Sequence, residues 1–99
     1  MERNAVCDRL FESILKLRDL DDCYAYFEDL CTMKELADMA QRLQVAEMLS
    51  RGVSYQRIGE QTGVSSATIG RVNRCLCYGS GGYRAVIERL SADGGEAEE

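Results

Sequence analysis

The sequence contains no histidine, no tryptophan and no proline. Without histidine there is no Ser-His-Asp triad, no Cys-His dyad and no His-ligated metal site. Without proline, no helix is forced to break at a missing N–H. Long apolar runs are also absent. None approaches the roughly 18 residues that span a bilayer, so no membrane partner is expected. Glu2, Asp8 and Glu12 lie among the first apolar residues, which is unlike a signal peptide, and the chain reads as cytoplasmic.

What is present is ordinary globular composition, with 45% hydrophobic residues in 99. That length fits one domain with a thin core, and an obligate dimer would bury more. Five cysteines (Cys7, Cys23, Cys31, Cys75 and Cys77) form an odd, irregular set. Such a set suits reduced thiols, with burial as the ordinary explanation for each. Cys75 and Cys77 are two apart, so on one helix they diverge and cannot pair without unwinding it.

The net charge is −5, which at long range argues against nucleic acid. Its distribution reverses that argument. Residues 1–40 hold 5 basic and 10 acidic groups, and residues 91–99 hold 4 acids. Residues 41–90 hold 7 basic and 3 acidic groups, a local +4.

Helical spacing dominates the chain. Val6, Leu10, Ile14 and Leu17, with Cys7, Phe11 and Leu15 beside them, predict a helix over 4–18. Its apolar face is wide enough for two neighbours, one of which suits a second chain. Asp21 or Asp22 is expected to cap a short helix to about Leu30. Thr32 and Glu35 have capping-box spacing and open a central helix to about Arg51, which Gly52 ends. Leu36, Met39, Ala40, Leu43 and Ala46 form its main stripe. A last helix carries Ala85, Val86, Ile87 and Leu90. Residues 1–90 therefore form the helical domain, and the acidic tail 91–99 is expected to be disordered.

The informative segment lies at about 55–77 and reads as a helix-turn-helix. Ser54 caps a short helix, Gly63 supplies a positive φ for the turn, and Ser65 caps the second helix. Gly59 is read as small to admit the second helix. Ile58, Val64, Ile69 and Val72 are spaced to fill the core of the pair, and no acid occurs from Gln61 to Ile87. Ser66, Ala67 and Thr68 make a small, hydroxylated first turn that suits a major groove, and Gly70 continues it. Gln56, Arg57, Ser65, Arg71 and Arg74 complete the candidate double-stranded DNA surface. The competing structural explanation is a plain helical hairpin. The glycines, caps, spaced apolars and missing acids occurring together favour DNA binding.

The runs Leu30-Cys-Thr-Met-Lys-Glu-Leu-Ala-Asp-Met-Ala-Gln-Arg-Leu43, Leu49-Ser-Arg-Gly52, Ser54-Tyr-Gln-Arg-Ile-Gly59 and Gly63-Val-Ser-Ser-Ala-Thr-Ile-Gly-Arg-Val-Asn-Arg-Cys-Leu-Cys-Tyr-Gly-Ser-Gly-Gly-Tyr83 resemble the tryptophan-repressor-like family. The Arg-Val-Asn-Arg-Cys-Leu and Tyr-Gly-Ser-Gly-Gly-Tyr ending is similar to its YerC/YecD branch. The resemblance covers about residues 5–90. It implies an all-α fold of about six helices, an intertwined homodimer and a transcriptional regulator. It also implies a small-ligand site at Thr32, Arg42, Arg71 and Cys75, where two guanidinium groups would flank a ring. Val72 replaces a glycine of the repressor and Cys75 a serine, and both departures argue against tryptophan as the ligand.

Three alternatives differ in kind. One is a protein-interaction module that keeps the fold without DNA binding. Another is a thiol sensor. An enzyme fits least, since no nucleophile–base pair or phosphate loop is visible, and no cofactor or metal is expected.

Overall fold

The computed structural model describes residues 1–94. Six helices follow in order: α1 (Ala5–Ile14), α2 (Leu20–Leu30), α3 (Met33–Ser50), α4 (Tyr55–Thr62), α5 (Ser66–Tyr78) and α6 (Gly82–Gly94). Among the described residues there is no strand, and the fold is all-α. The chain forms two compact units, Met1–Leu36 and the part from Ala37 onward.

In the first unit, the Asn4 side chain caps α1 by accepting from the Cys7 N–H at 2.8 Å. The helix stops at Ile14, four residues short of the Arg18 that its apolar spacing suggests. The reason is local. The Lys16 and Leu17 amides bond the carbonyls three residues back, each at 3.1 Å, which tightens the chain into a turn. The Arg18 N–H then leaves for Asp22 Oδ2 at 3.0 Å.

The cap of α2 is Asp19, not Asp21 or Asp22. Its side chain accepts from the Asp22 N–H at 2.8 Å, while the Asp22 carboxylate is drawn to Arg18. The Ser13 and Tyr26 hydroxyls bond at 2.5 Å and tie α1 to α2.

No residue before Val45 is buried. Val6 and Leu15 are each 81% exposed, and Leu20 and Tyr24 are also open. A domain normally owns a core, and this unit has none.

The helix α3 opens on the expected capping box. The Thr32 N–H donates to Glu35 Oε1 at 2.9 Å, and the Glu35 N–H donates to Thr32 Oγ1 at 3.0 Å. The expected stripe is largely unburied. Met39 and Ala40 are exposed, Leu36 and Leu43 half-buried, and only the far end contributes Val45, Ala46 and Met48 to the core.

That core lies in the second unit. Ile58, Val64, Ile69 and Val72 complete it, and Leu49, Val53, Tyr83 and Ile87 pack around it. It joins the end of α3 to α4, α5 and α6. Truncating a buried Ile here to Ala would cost about 2–5 kcal/mol, so the α4–α5 pair rests on a filled support. Tyr83 and Ile87 bring α6 against it. The helix α6 runs to Gly94, so Ser91–Gly94 are helical rather than disordered. The remainder of the expected tail, residues 95–99, lies outside the described residues.

Candidate nucleic-acid interface

The α4–α5 pair is built by its own short-range bonds. Ser54 Oγ accepts from the Arg57 N–H at 3.2 Å and starts α4. Gly63 ends it at φ +76°, a conformation that side chains with a Cβ rarely hold. Its N–H donates to the Gly59 carbonyl at 2.8 Å. The Thr62 hydroxyl donates to the Ile58 carbonyl at 2.6 Å and accepts from the Val64 N–H at 3.2 Å, which fixes the turn. Ser65 Oγ then accepts from the Thr68 N–H at 3.2 Å and starts α5.

The four apolar residues that the spacing selects are all buried: Ile58 at 0%, Ile69 at 1%, Val72 at 3% and Val64 at 9% exposure. Burying these side chains turns the opposite face outward. Gln56, Arg57, Ser65, Ser66, Ala67, Thr68, Arg71 and Arg74 are exposed, and Gly70 is half-buried. The two ion pairs seen, Arg9–Glu12 and Arg18–Asp22, lie in the first unit. Arg57, Arg71 and Arg74 make none among the described residues. Their side chains face solvent without an ion pair among the described residues, as a phosphate-binding surface requires. The Gln56 amide is held by Glu60 Oε2 at 3.3 Å. The Ser65 hydroxyl serves as a cap and also lies 3.1 Å from the Thr68 hydroxyl.

Gly59 and Gly79 differ in what a side chain would meet there. A Cβ at Gly59 would meet the Val64 carbonyl oxygen at 3.6 Å, an ordinary contact, so close helix approach does not require glycine there. At Gly79 a Cβ would collide with the Cys75 carbonyl oxygen. Its N–H donates to that same oxygen at 2.9 Å, which closes the last turn of α5. The pattern Tyr78-Gly79-Ser80-Gly81 marks a link but not which glycine is sterically required.

An open cleft of about 620 Å³ borders the same pair. Arg42, Arg71 and Cys75 line it, joined by Asp38, Gln41 and Tyr83, which the sequence reading missed. Thr32 is not among the lining residues; it belongs to the first unit, where its N–H and hydroxyl form the capping box. Val72 lines the cleft wall. Burial is not the rule for the thiols: Cys75 and Cys77 are exposed and the other three are intermediate. Among the described residues no group of three His, Cys, Asp or Glu side chains is placed to hold a metal. No described helix is long and apolar enough to cross a membrane.

The model of the Trp repressor protein family matches residues 5–91. The chain belongs to the Trp repressor family. Within the family it sides with the YerC branch. It is 50% identical over 88 residues to the uncharacterized protein YerC of Bacillus subtilis (strain 168), covering 89% of this chain and 85% of that one. The crystal structure of a TrpR-like protein from Eubacterium eligens ATCC 27750 superposes with a TM-score of 0.86 at 49% identity, over 89% of this chain and 91% of that one. A Trp-repressor-type structure from Staphylococcus aureus gives 0.85 at 43% identity, over 89% and 88%. In this Trp repressor family member, α4 and α5 are two short helices joined by the tight turn at Gly63, and the family is one of regulators rather than enzymes.

Proposed function

We propose that the chain is a sequence-specific transcriptional regulator that binds double-stranded DNA as a homodimer, with α5 in the major groove. The observation that carries this reading is the uncompensated face of α4–α5. Three arginines without ion pairs and a small hydroxylated first turn stand over a filled core. Ser66, Ala67 and Thr68 let the α5 backbone approach base edges, while Arg57, Arg71 and Arg74 neutralise phosphates or reach guanine.

The coreless first unit supports the dimer. Val6, Leu10, Phe11, Leu15, Leu20 and Tyr24 leave apolar area in water that a second chain would cover. Two copies would set their α5 helices about 34 Å apart, one turn of the duplex.

The cleft beside Arg42, Arg71 and Cys75 is where an effector would act on α5, since Arg71 belongs to both surfaces. The Val72 side chain in its wall narrows the space for an indole, which supports an effector other than tryptophan.

Retention of genomic fragments by the purified protein at low and moderate salt tests the reading. Enrichment of particular fragments over random DNA is expected. A chain that retains none, and instead draws down one protein in fixed ratio from lysate, would be an interaction module.

A further inference from the structure

Tyr55 is absent from the DNA-contact set that the sequence suggests, yet its position is unusual. It is the first residue of α4, directly after the Ser54 cap. Its ring lies over the middle of α5: a Cβ built on Gly70 would stand 4.0 Å from Tyr55 Cε2. The side chain is nevertheless 42% exposed, and its hydroxyl makes no hydrogen bond among the described residues. Gly70 precedes Arg71 and sits one turn before Arg74. The ring therefore lies beside the helix that carries the candidate base contacts, and the residue remains exposed.

We propose that the Tyr55 hydroxyl donates a hydrogen bond to a backbone phosphate at the flank of each half-site, and so sets the depth and angle at which α5 enters the groove. The inference rests on the proposed DNA-binding reading. In a helix-turn-helix the first helix crosses the sugar-phosphate backbone, which puts α4 beside phosphates rather than bases. Tyrosine is a neutral phosphate donor with only two side-chain torsions, so ordering it costs less than ordering a free arginine. The acid nearest along α4, Glu60, is engaged by the Gln56 amide at 3.3 Å. The ring starts from a place beside Gly70 of α5, and its two torsions leave it fewer arrangements than the long Arg57 side chain has.

The test compares the full chain with Tyr55→Phe, which keeps the ring and its packing, and with Arg57→Ala. Each is titrated against a selected genomic fragment and against random duplex over a range of salt. Tyr55→Phe is expected to weaken both by roughly ten- to a hundredfold, the size of one hydrogen bond to a charged acceptor. It should leave the slope of log affinity against log salt unchanged, because no charge is lost. Arg57→Ala should reduce that slope by about 0.9. Phosphate-ethylation interference should show one phosphate per half-site whose alkylation impairs the wild type but not Tyr55→Phe.

Wild-type affinity within twofold for Tyr55→Phe, or an unchanged ethylation pattern, would overturn this inference and leave the DNA-binding reading standing. Failure of the wild type itself to bind any duplex would overturn both.

Discussion

The Arg84 guanidinium donates through Nε to the Leu76 carbonyl at 2.9 Å, tying the first turn of α6 to the last turn of α5. Leu76 itself is buried, at 6% exposure. Its carbonyl belongs to the end of a helix, where no further turn supplies an amide. Replacing Arg84 with Ala removes that donor and should cost about 1–2 kcal/mol. The expected melting temperature falls by roughly 4–8 °C per kcal/mol for a chain of this size, read by circular dichroism. An unchanged melting temperature would show that water replaces the guanidinium without loss.

Gly59 and Gly79 predict opposite outcomes for the same substitution. Gly59→Ala adds a methyl at ordinary contact distance inside α4 and should stabilise by about 0.5–1 kcal/mol through helix propensity. Gly79→Ala drives a methyl into the Cys75 carbonyl and should destabilise, opening the end of α5. Denaturant midpoints of the two variants should move to opposite sides of the wild type.

Thr32 is a cap, and its replacement should behave as one. Thr32→Ala loses the bond to the Glu35 amide and should cost about 1 kcal/mol. Its effect on any ligand of the Arg42–Arg71 cleft should not exceed that stability loss. A ligand affinity that collapses in Thr32→Ala while Glu35→Ala, which breaks the reciprocal half of the same box, leaves it intact would place Thr32 in the ligand site.

The exposed stripe of α1 should be an interface between chains. Phe11 is 47% exposed and Leu10 36%, so a charge there would cost little in an isolated chain. Phe11→Asp should therefore disrupt self-association, with sedimentation showing half the wild-type mass or an unfolded chain. A wild-type dimer that persists in Phe11→Asp would place the interface elsewhere.

Much of this molecule was legible in its sequence because its signals are local. Ser54, Ser65, Gly63 and the Thr32–Glu35 pair each act within four residues, and their bonds stand where the spacing put them. The misread features depend on competition or on distance. The spacing offers Asp21 or Asp22 as the cap of α2, but Asp19 takes that place and Asp22 engages Arg18. Apolar periodicity carries α1 past Ile14, but the bonds of Lys16 and Leu17 three residues back end it. Periodicity also says which side of α3 is apolar, not which part of that side meets a neighbour. Only Val45, Ala46 and Met48 become fully buried. The placement of the Tyr55 ring beside Gly70 relates positions fifteen apart across the turn at Gly63, and no short pattern encodes it.

Whether the arginine-bearing face of α4–α5 reads DNA is decided by an equilibrium titration of the wild-type chain against a selected fragment and its scrambled counterpart over a series of salt concentrations. The selected sequence should be preferred by about 10³-fold or more. Affinity should fall with salt by about 0.9 in log–log slope per phosphate neutralised, with Arg71→Ala and Arg74→Ala each flattening that slope. Equal affinity for the two fragments, or no binding to either at the lowest salt, would contradict DNA reading by this face.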